Sequence, residues 1–224
     1  MTLQRIDDGL WAAASPCTWM GLHVGTRMTV VRLSGGGLLL HSVAPMTGPL
    51  RTEVEALGPV AHIVLPDLYH HLFVGPWSDA FPRARIHAPP GMARKRPDLR
   101  IDSELSEAPH PDWARDLRPV FIAGCMFRET VFVHPRTRTL ICADLIENFS
   151  GSDDGITRLY LRAAGLLGRP GFSRFLRFVY RKRPAARASL ERLLAEDFER
   201  VVLCHGDVLE KGGREALRLA YDWL

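Results

Sequence analysis

Three places along this 224-residue chain deliver reactive side chains at the end of an apolar run. The run Val60–Leu65 leads into Pro66-Asp67-Leu68-Tyr69-His70-His71, Leu140-Ile141-Cys142-Ala143 leads into Asp144, and Val201-Val202-Leu203-Cys204 leads into His205-Gly206-Asp207. Imidazoles and carboxylates are metal ligands and proton carriers. In α/β folds the productive sites gather where strands end and the chain turns over the sheet edge. A lone His-His pair more often starts a helix, one ring capping and the other solvated, and a lone Asp144 more often caps a turn. Three such segments sharing one pattern make convergence on a common ion a competing reading of equal weight.

The elements that must position these residues follow from periodicity. Leu10–Ala13, Met28–Leu33 and Leu38–Leu40 read as strands, the last two joined by the Ser34–Gly37 turn, which lacks the Lys-Ser/Thr of a phosphate-binding loop. Thr47–Leu57 has helical spacing and stops at Gly58-Pro59. Val60–Leu65 reads as a buried strand, Tyr69–Ala80 as a loop running into a short helix, and Arg85–His87, Arg118–Ile122, Thr130–His134 and Thr139–Ala143 as further strands. Ile156–Leu167 is helical, Gly168–Gly171 interrupts it, and Phe172–Tyr180 resumes the pattern. Helix Ala185–Glu196, strand Val201–Cys204 and helix Gly213–Trp223 complete the chain. Strands in two batches with helices between and after them predict an α/β (α+β) fold of packed sheets flanked by helices. With no linker or repeat, residues 1–224 are expected to form a single domain carrying a basic helical insertion at about 151–185.

Composition agrees: 46% hydrophobic and 24% charged residues are those of an ordinary globular protein with a sizeable core. The N-terminal MTLQRIDDGLWAAA lacks the basic flank of a signal peptide, and no run is long enough to span a bilayer, so a cytoplasmic location is expected. Cys17, Cys125, Cys142 and Cys204 are scattered and are expected to be reduced.

The order strand–His cluster–helix, strand–Asp, strand–His-Gly resembles the metallo-β-lactamase superfamily over nearly the whole chain. The stretch His70-His71-Leu72-Phe73-Val74-Gly75-Pro76-Trp77 is similar to a divergent, uncharacterised branch whose loop reads H-H-L-F-x-G-x-W. The resemblance implies a four-layer αββα sandwich with a site for one or two metals at an H-x-H-x-D-H loop. Laid on that loop, Pro66 and Leu68 replace the first two histidines, His70 replaces the aspartate and His71 keeps the last histidine. Ala123-Gly124-Cys125 falls where a middle P-G-H is usual, and His41 where an early aspartate is usual. Asp144 and His205 match the bridging carboxylate and the late histidine.

One metal site is thus mostly lost, while His71, Asp144 and His205 survive from the other, with His70 added. The resemblance therefore implies one divalent ion, Zn²⁺ first with Fe or Mn as alternatives, on His70, His71, Asp144 and His205. Asp67 or Asp207 is expected to support a ligating imidazole, and Cys125 and Glu129 are weaker candidates, Cys125 reading better as a buried filler. Such a centre hydrolyses an ester, thioester or phosphoester through a metal-activated water, without being a true β-lactamase. The alternative is a degenerate relative that holds no metal and serves as a binding or scaffolding module, since one scaffold hosts many activities.

The second feature is charge. Arg158, Arg162, Arg169, Arg174, Arg177, Arg181, Lys182, Arg183, Arg187 and Arg192 face a single acid, Glu191, between Ile156 and Arg192. Arg174, Arg177, Arg181, Lys182 and Arg183 are the candidate anion contacts, alternating with Phe175, Leu176, Phe178 and Tyr180. A lid over the core, guiding a small anionic substrate, or a homodimer contact is the commoner use of such a stretch; an anionic membrane surface is the other. No reading helix or stacking motif points to nucleic acid.

Overall fold

The computed structural model describes residues 1–224. Seven strands form the first sheet, in the order Gln4–Asp7, Leu10–Ser15, Thr26–Arg32, Leu38–His41, Val60–Val64, Arg85–Ala88, Ser103–Glu104. Its first four strands pair antiparallel and the remainder parallel. The second sheet orders Arg118–Phe121, Thr130–His134, Thr139–Ile141 and Arg200–Val202, with the last pair parallel.

Successive side chains on a strand point to opposite faces, and here both faces are buried, which is why these strands read as continuous apolar runs. Leu39, Val31, Phe132, Ile141 and Val202 meet in a cluster between the sheets. Their neighbours Leu38, Leu40 and Val30 pack outward with Leu50, Val54, Val74 and Trp77 of the helices on one side. Val131, Val133, Leu140 and Val201 pack outward with Ala186, Leu190, Leu193 and Leu217 on the other. Helix, sheet, sheet, helix are therefore the four layers, and each fully buried Leu or Val in them contributes roughly 1.5–3 kcal/mol.

Local chemistry sets the element ends. Thr47 Oγ1 caps helix Gly48–Leu57 by accepting from Leu50 N, and Asp154 Oδ1 caps helix Gly155–Ala164 by accepting from Thr157 N at 2.7 Å. The tryptophan of the His70–Trp77 string is structural: Trp77 is fully buried and its indole N–H donates to Ala44 O at 2.8 Å.

The Phe172–Tyr180 expectation is met only by a shorter, tighter helix. Gly165, at φ +79°, ends the preceding helix in a left-handed cap, and Pro170–Gly171 then pairs antiparallel with Glu147–Asn148. Beyond that strand the chain forms the 3-10 helix Arg174–Val179 and not an α-helix. No helix is long and apolar enough to cross a membrane.

Candidate metal centre

All three predicted segments end at one point between the sheets. His70 is placed by Asp67, whose Oδ1 accepts from Tyr69 N at 2.7 Å and from His70 N at 2.8 Å. The same loop is tied to the second sheet by Thr130 N donating to Pro66 O and Leu68 N to Phe127 O. Asp144 follows strand Thr139–Ile141, and Glu129 Oε1 holds the preceding residue by accepting from Ala143 N at 2.6 Å. His205 follows strand Arg200–Val202, in a turn that the Arg27 guanidinium clamps through Leu203 O and Gly206 O. Gly206 has φ +94°, and a Cβ there would lie 1.9 Å from Asn148 O, so only glycine permits this turn.

His70 Nε2 lies 3.1 Å from Asp144 Oδ1, His205 Nε2 lies 3.2 Å from the same oxygen, and the two imidazole nitrogens are 3.3 Å apart. The far nitrogens are held from behind. His205 Nδ1 is 2.8 Å from Gly25 O, and His70 Nδ1 is 2.7 Å from Ser42 Oγ. A carbonyl only accepts, so His205 carries its proton on Nδ1 and, when neutral, aims the Nε2 lone pair at Asp144. Two acceptors at that distance require a cation between them, either a proton or a metal ion. Ligands placed tetrahedrally about 2.0–2.1 Å from an ion lie about 3.3–3.4 Å from one another, close to the triangle found here. The donor set, two imidazoles and one carboxylate, thus fits a divalent metal ion.

Charge is concentrated around this triangle. Burial works against ionisation of Asp144, yet the His70 and His205 rings beside it hold its carboxyl below the ordinary carboxylate range. Burial likewise opposes charge on His70, which Cys204, Asp67 and Asp144 together raise, and on His205, which Asp144 raises. Asp67 is pushed up to about 6 by burial and by Asp144, and Glu129 well above its usual value by burial, Asp67 and Asp144.

His71 is not part of the triangle, a correction to the ligand set expected from sequence. Its Nδ1 and its carbonyl oxygen both accept from Arg96, at 3.0 Å each, and Arg96 is fixed in turn by Asp98. Burial, Lys95 and Arg96 pull the His71 imidazole down to about 4, and a cationic neighbourhood opposes a metal ion as it opposes a proton.

The weaker candidates separate as well. Asp67 and Glu129 position backbone beside the ligands, as described. Asp207 does not support His205: its Oδ2 accepts from Ser150 N, and Gly25 O takes the expected place. Cys125 lies in the apolar cluster of the second sheet's outer face, bridged to Tyr180, and burial pushes its thiol up to about 12.

The basic residues lie apart from the triangle. Arg177 and Arg183 sit over the Trp223 ring at 4.7 and 5.6 Å, Arg181 Nε faces Met126 Sδ at 3.4 Å, Arg174 packs at Gly165, and Lys182 N donates to Gly124 O.

His70, Asp144 and His205 face a cavity of about 650 Å³, within the range that encloses a small ligand. Glu147 also lines it, and burial, with Asp144 adding and His205 opposing, raises this carboxyl to about 7. Glu147, Ser42 and Gly25 carry no motif and were invisible in the sequence. Only the position of Glu147, three residues beyond Asp144, hinted at a place near the site.

A family model described as a domain of unknown function (DUF4336) matches residues 7–93, which contain His70 but neither Asp144 nor His205. No curated protein matches the chain. Among solved structures, a metallo-β-lactamase from Pontibacter korlensis superposes with a TM-score of 0.68 at 13% identity, covering 98% of both chains. The metallo-β-lactamase FIM-1 from Pseudomonas aeruginosa, in its mono-zinc form, superposes with a TM-score of 0.65 at 15% identity, covering 99% of this chain and 94% of that one. A metallo-β-lactamase from Erythrobacter litoralis, with β-mercaptoethanol in its active site, gives 0.68 at 13% identity, covering 98% and 94%. With its layers, sheet order and strand-end ligands already described, the chain has the metallo-β-lactamase fold.

Proposed function

We propose that this protein is a mononuclear metal-dependent hydrolase whose ion is held by His70, Asp144 and His205. The observation that carries the reading is the triangle of Nε2, Nε2 and Oδ1 at 3.1–3.3 Å on the wall of a ligand-sized cavity. Zn²⁺ suits the two imidazoles and one carboxylate best, and Fe or Mn fits the same donors. A single ion accords with Pro66 and Leu68, which offer no ligand atom, and with Cys125 turned into the core. The Pseudomonas aeruginosa neighbour is itself described in a mono-zinc form.

When bound, the ion supplies Lewis-acid activation of water and of an ester, thioester or phosphoester oxygen. The chain's own residues do the rest. Gly25 O and Ser42 Oγ fix the orientation of the two rings, so that both Nε2 atoms face the cavity. Asp144 remains ionised there and balances cationic charge. Glu147 lines the same cavity, and its carboxyl, which burial raises, is the group there suited to exchange a proton with water or a leaving group.

The test begins with untagged protein analysed for metal. About one Zn, Fe or Mn per chain is expected, lost in His70→Ala and in His205→Ala and retained in His71→Ala. The metal-loaded protein is expected to hydrolyse members of an aryl ester and phosphoester panel, with both His→Ala variants inactive. Folded, metal-free protein that takes up no ion on titration would overturn the proposal and favour the binding module.

A further inference from the structure

The cavity mouth is built in a way that hydrolysis of a small polar substrate does not require. Of the eleven large hydrophobic side chains exposed on the whole protein, six line this one cavity: Trp19, Met20, Tyr69, Leu72, Met126 and Phe178. A surface that gathers its exposed apolar groups at one opening marks an interaction site. Trp19 and Met20 stand on the hairpin Thr18–Trp19/Leu22–His23, anchored from below by His23 N donating to Thr157 Oγ1. Its tip is Met20-Gly21, and Met20 is 83% exposed at φ +48°. Asn, Asp or Gly is the ordinary residue for such a tight turn; a bulky apolar side chain there has no folding rationale. Beside it, Phe175 packs on the cavity-lining Tyr160 at 5.8 Å, and extends the apolar rim.

Two cations flank this rim. Lys95 lines the cavity with its Nζ over the Tyr69 ring, and Arg181 abuts the lining residue Met126. Neither Lys95 nor Arg181 has a carboxylate partner within 4.0 Å, although carboxylates pair with cations elsewhere on the surface. Apolar side chains projecting beside unpaired cations complement the acyl boundary and headgroups of an anionic leaflet.

We propose that this mouth docks on an anionic phospholipid bilayer. Trp19, Met20, Leu72 and Phe178 enter the acyl boundary, and the unpaired cations face the headgroups. The apolar cavity then receives the acyl chain of a lipid ester, a substrate assignment that rests on the hydrolase reading. In that reaction the oxygen of water bonds to the acyl carbon, the bond from that carbon to the alcohol oxygen breaks, the alcohol leaves with one of the water's protons, and the other is released to solvent as the carboxylate forms.

The experiment is co-sedimentation of the full chain with vesicles of phosphatidylcholine alone and with phosphatidylglycerol added, in metal-loaded and chelator-treated forms. Binding only to the anionic vesicles is expected, together with a blue shift of tryptophan emission that is lost in Trp19→Phe. The double variant Leu72→Ser/Phe178→Ser and the variant Arg181→Glu are each expected to bind roughly tenfold more weakly with unchanged melting temperature, and added salt is expected to weaken binding further. Chelator-treated protein is expected to bind equally well, so a failed metal reading leaves docking intact. Absence of sedimentation at low salt, binding indifferent to these variants, or a stable dimer that buries Trp19 against a second copy would overturn the proposal.

Discussion

Replacing Glu147 by Gln tests the electrostatics of the cavity without touching a ligand. Burial raises this carboxyl from 4.5 to about 7, so the folded state holds a proton that the unfolded chain has already released in that window. The native state binds more protons than the unfolded state, and stability therefore falls as pH rises. The contribution is fully present below about pH 4.5 and lost once pH passes about 7. At about 1.4 kcal/mol per pKa unit the whole effect is about 3 kcal/mol, of which about 2 kcal/mol falls between pH 5 and pH 7.5. Glutamine keeps the shape and removes the titration. Urea unfolding of chelator-treated protein at those two pH values should show the native chain losing about 2 kcal/mol more than Glu147→Gln, a midpoint difference of about 1 M. Asp67 and Glu129 titrate in both proteins, so the comparison isolates Glu147. Equal losses in the two proteins would refute the burial argument, and with it the assignment of Glu147 as a proton carrier near neutral pH.

Other perturbations follow from the same geometry. Ser42→Ala removes the group behind His70 Nδ1 and is expected to weaken zinc affinity by about 10–100-fold, read by competition with a chromogenic chelator, with little change in melting temperature. Gly206→Ala drives a Cβ against Asn148 O and should lower both melting temperature and metal uptake, whereas Gly151→Ala, with open space around it, should change neither. Trp77→Ala should cost about 3–5 kcal/mol in urea unfolding, through a large cavity and an orphaned Ala44 carbonyl.

Most of the architecture was legible because the strands that form the sandwich are buried on both faces and bounded by turn residues, so their apolar runs stand out. The exception is instructive. Phe172–Tyr180 has helical spacing, but Pro170–Gly171 pairs with Glu147–Asn148, a long-range contact that overrides the local pattern. The short strands Gln4–Asp7 and Ser103–Glu104 are edge additions whose residues carry no alternation to read. The site was legible as three strand ends, and less so as atoms. Which of two adjacent histidines joins the triangle depends on Asp67 gripping the backbone of Tyr69 and His70, and on Arg96, 25 residues further along the chain, holding His71. Neither contact leaves a trace in spacing. The proposed docking face takes its apolar side chains largely from Trp19-Met20 and Leu72, outside the amphipathic stretch of the sequence.

The central claim, that His70, Asp144 and His205 share one ion, is met most directly by anomalous diffraction at the zinc edge from crystals of the zinc-loaded protein. A single peak within bonding distance of both Nε2 atoms and Asp144 Oδ1 is the predicted result. A peak on His71 or Cys125, or a triangle left empty while zinc binds elsewhere, would contradict it.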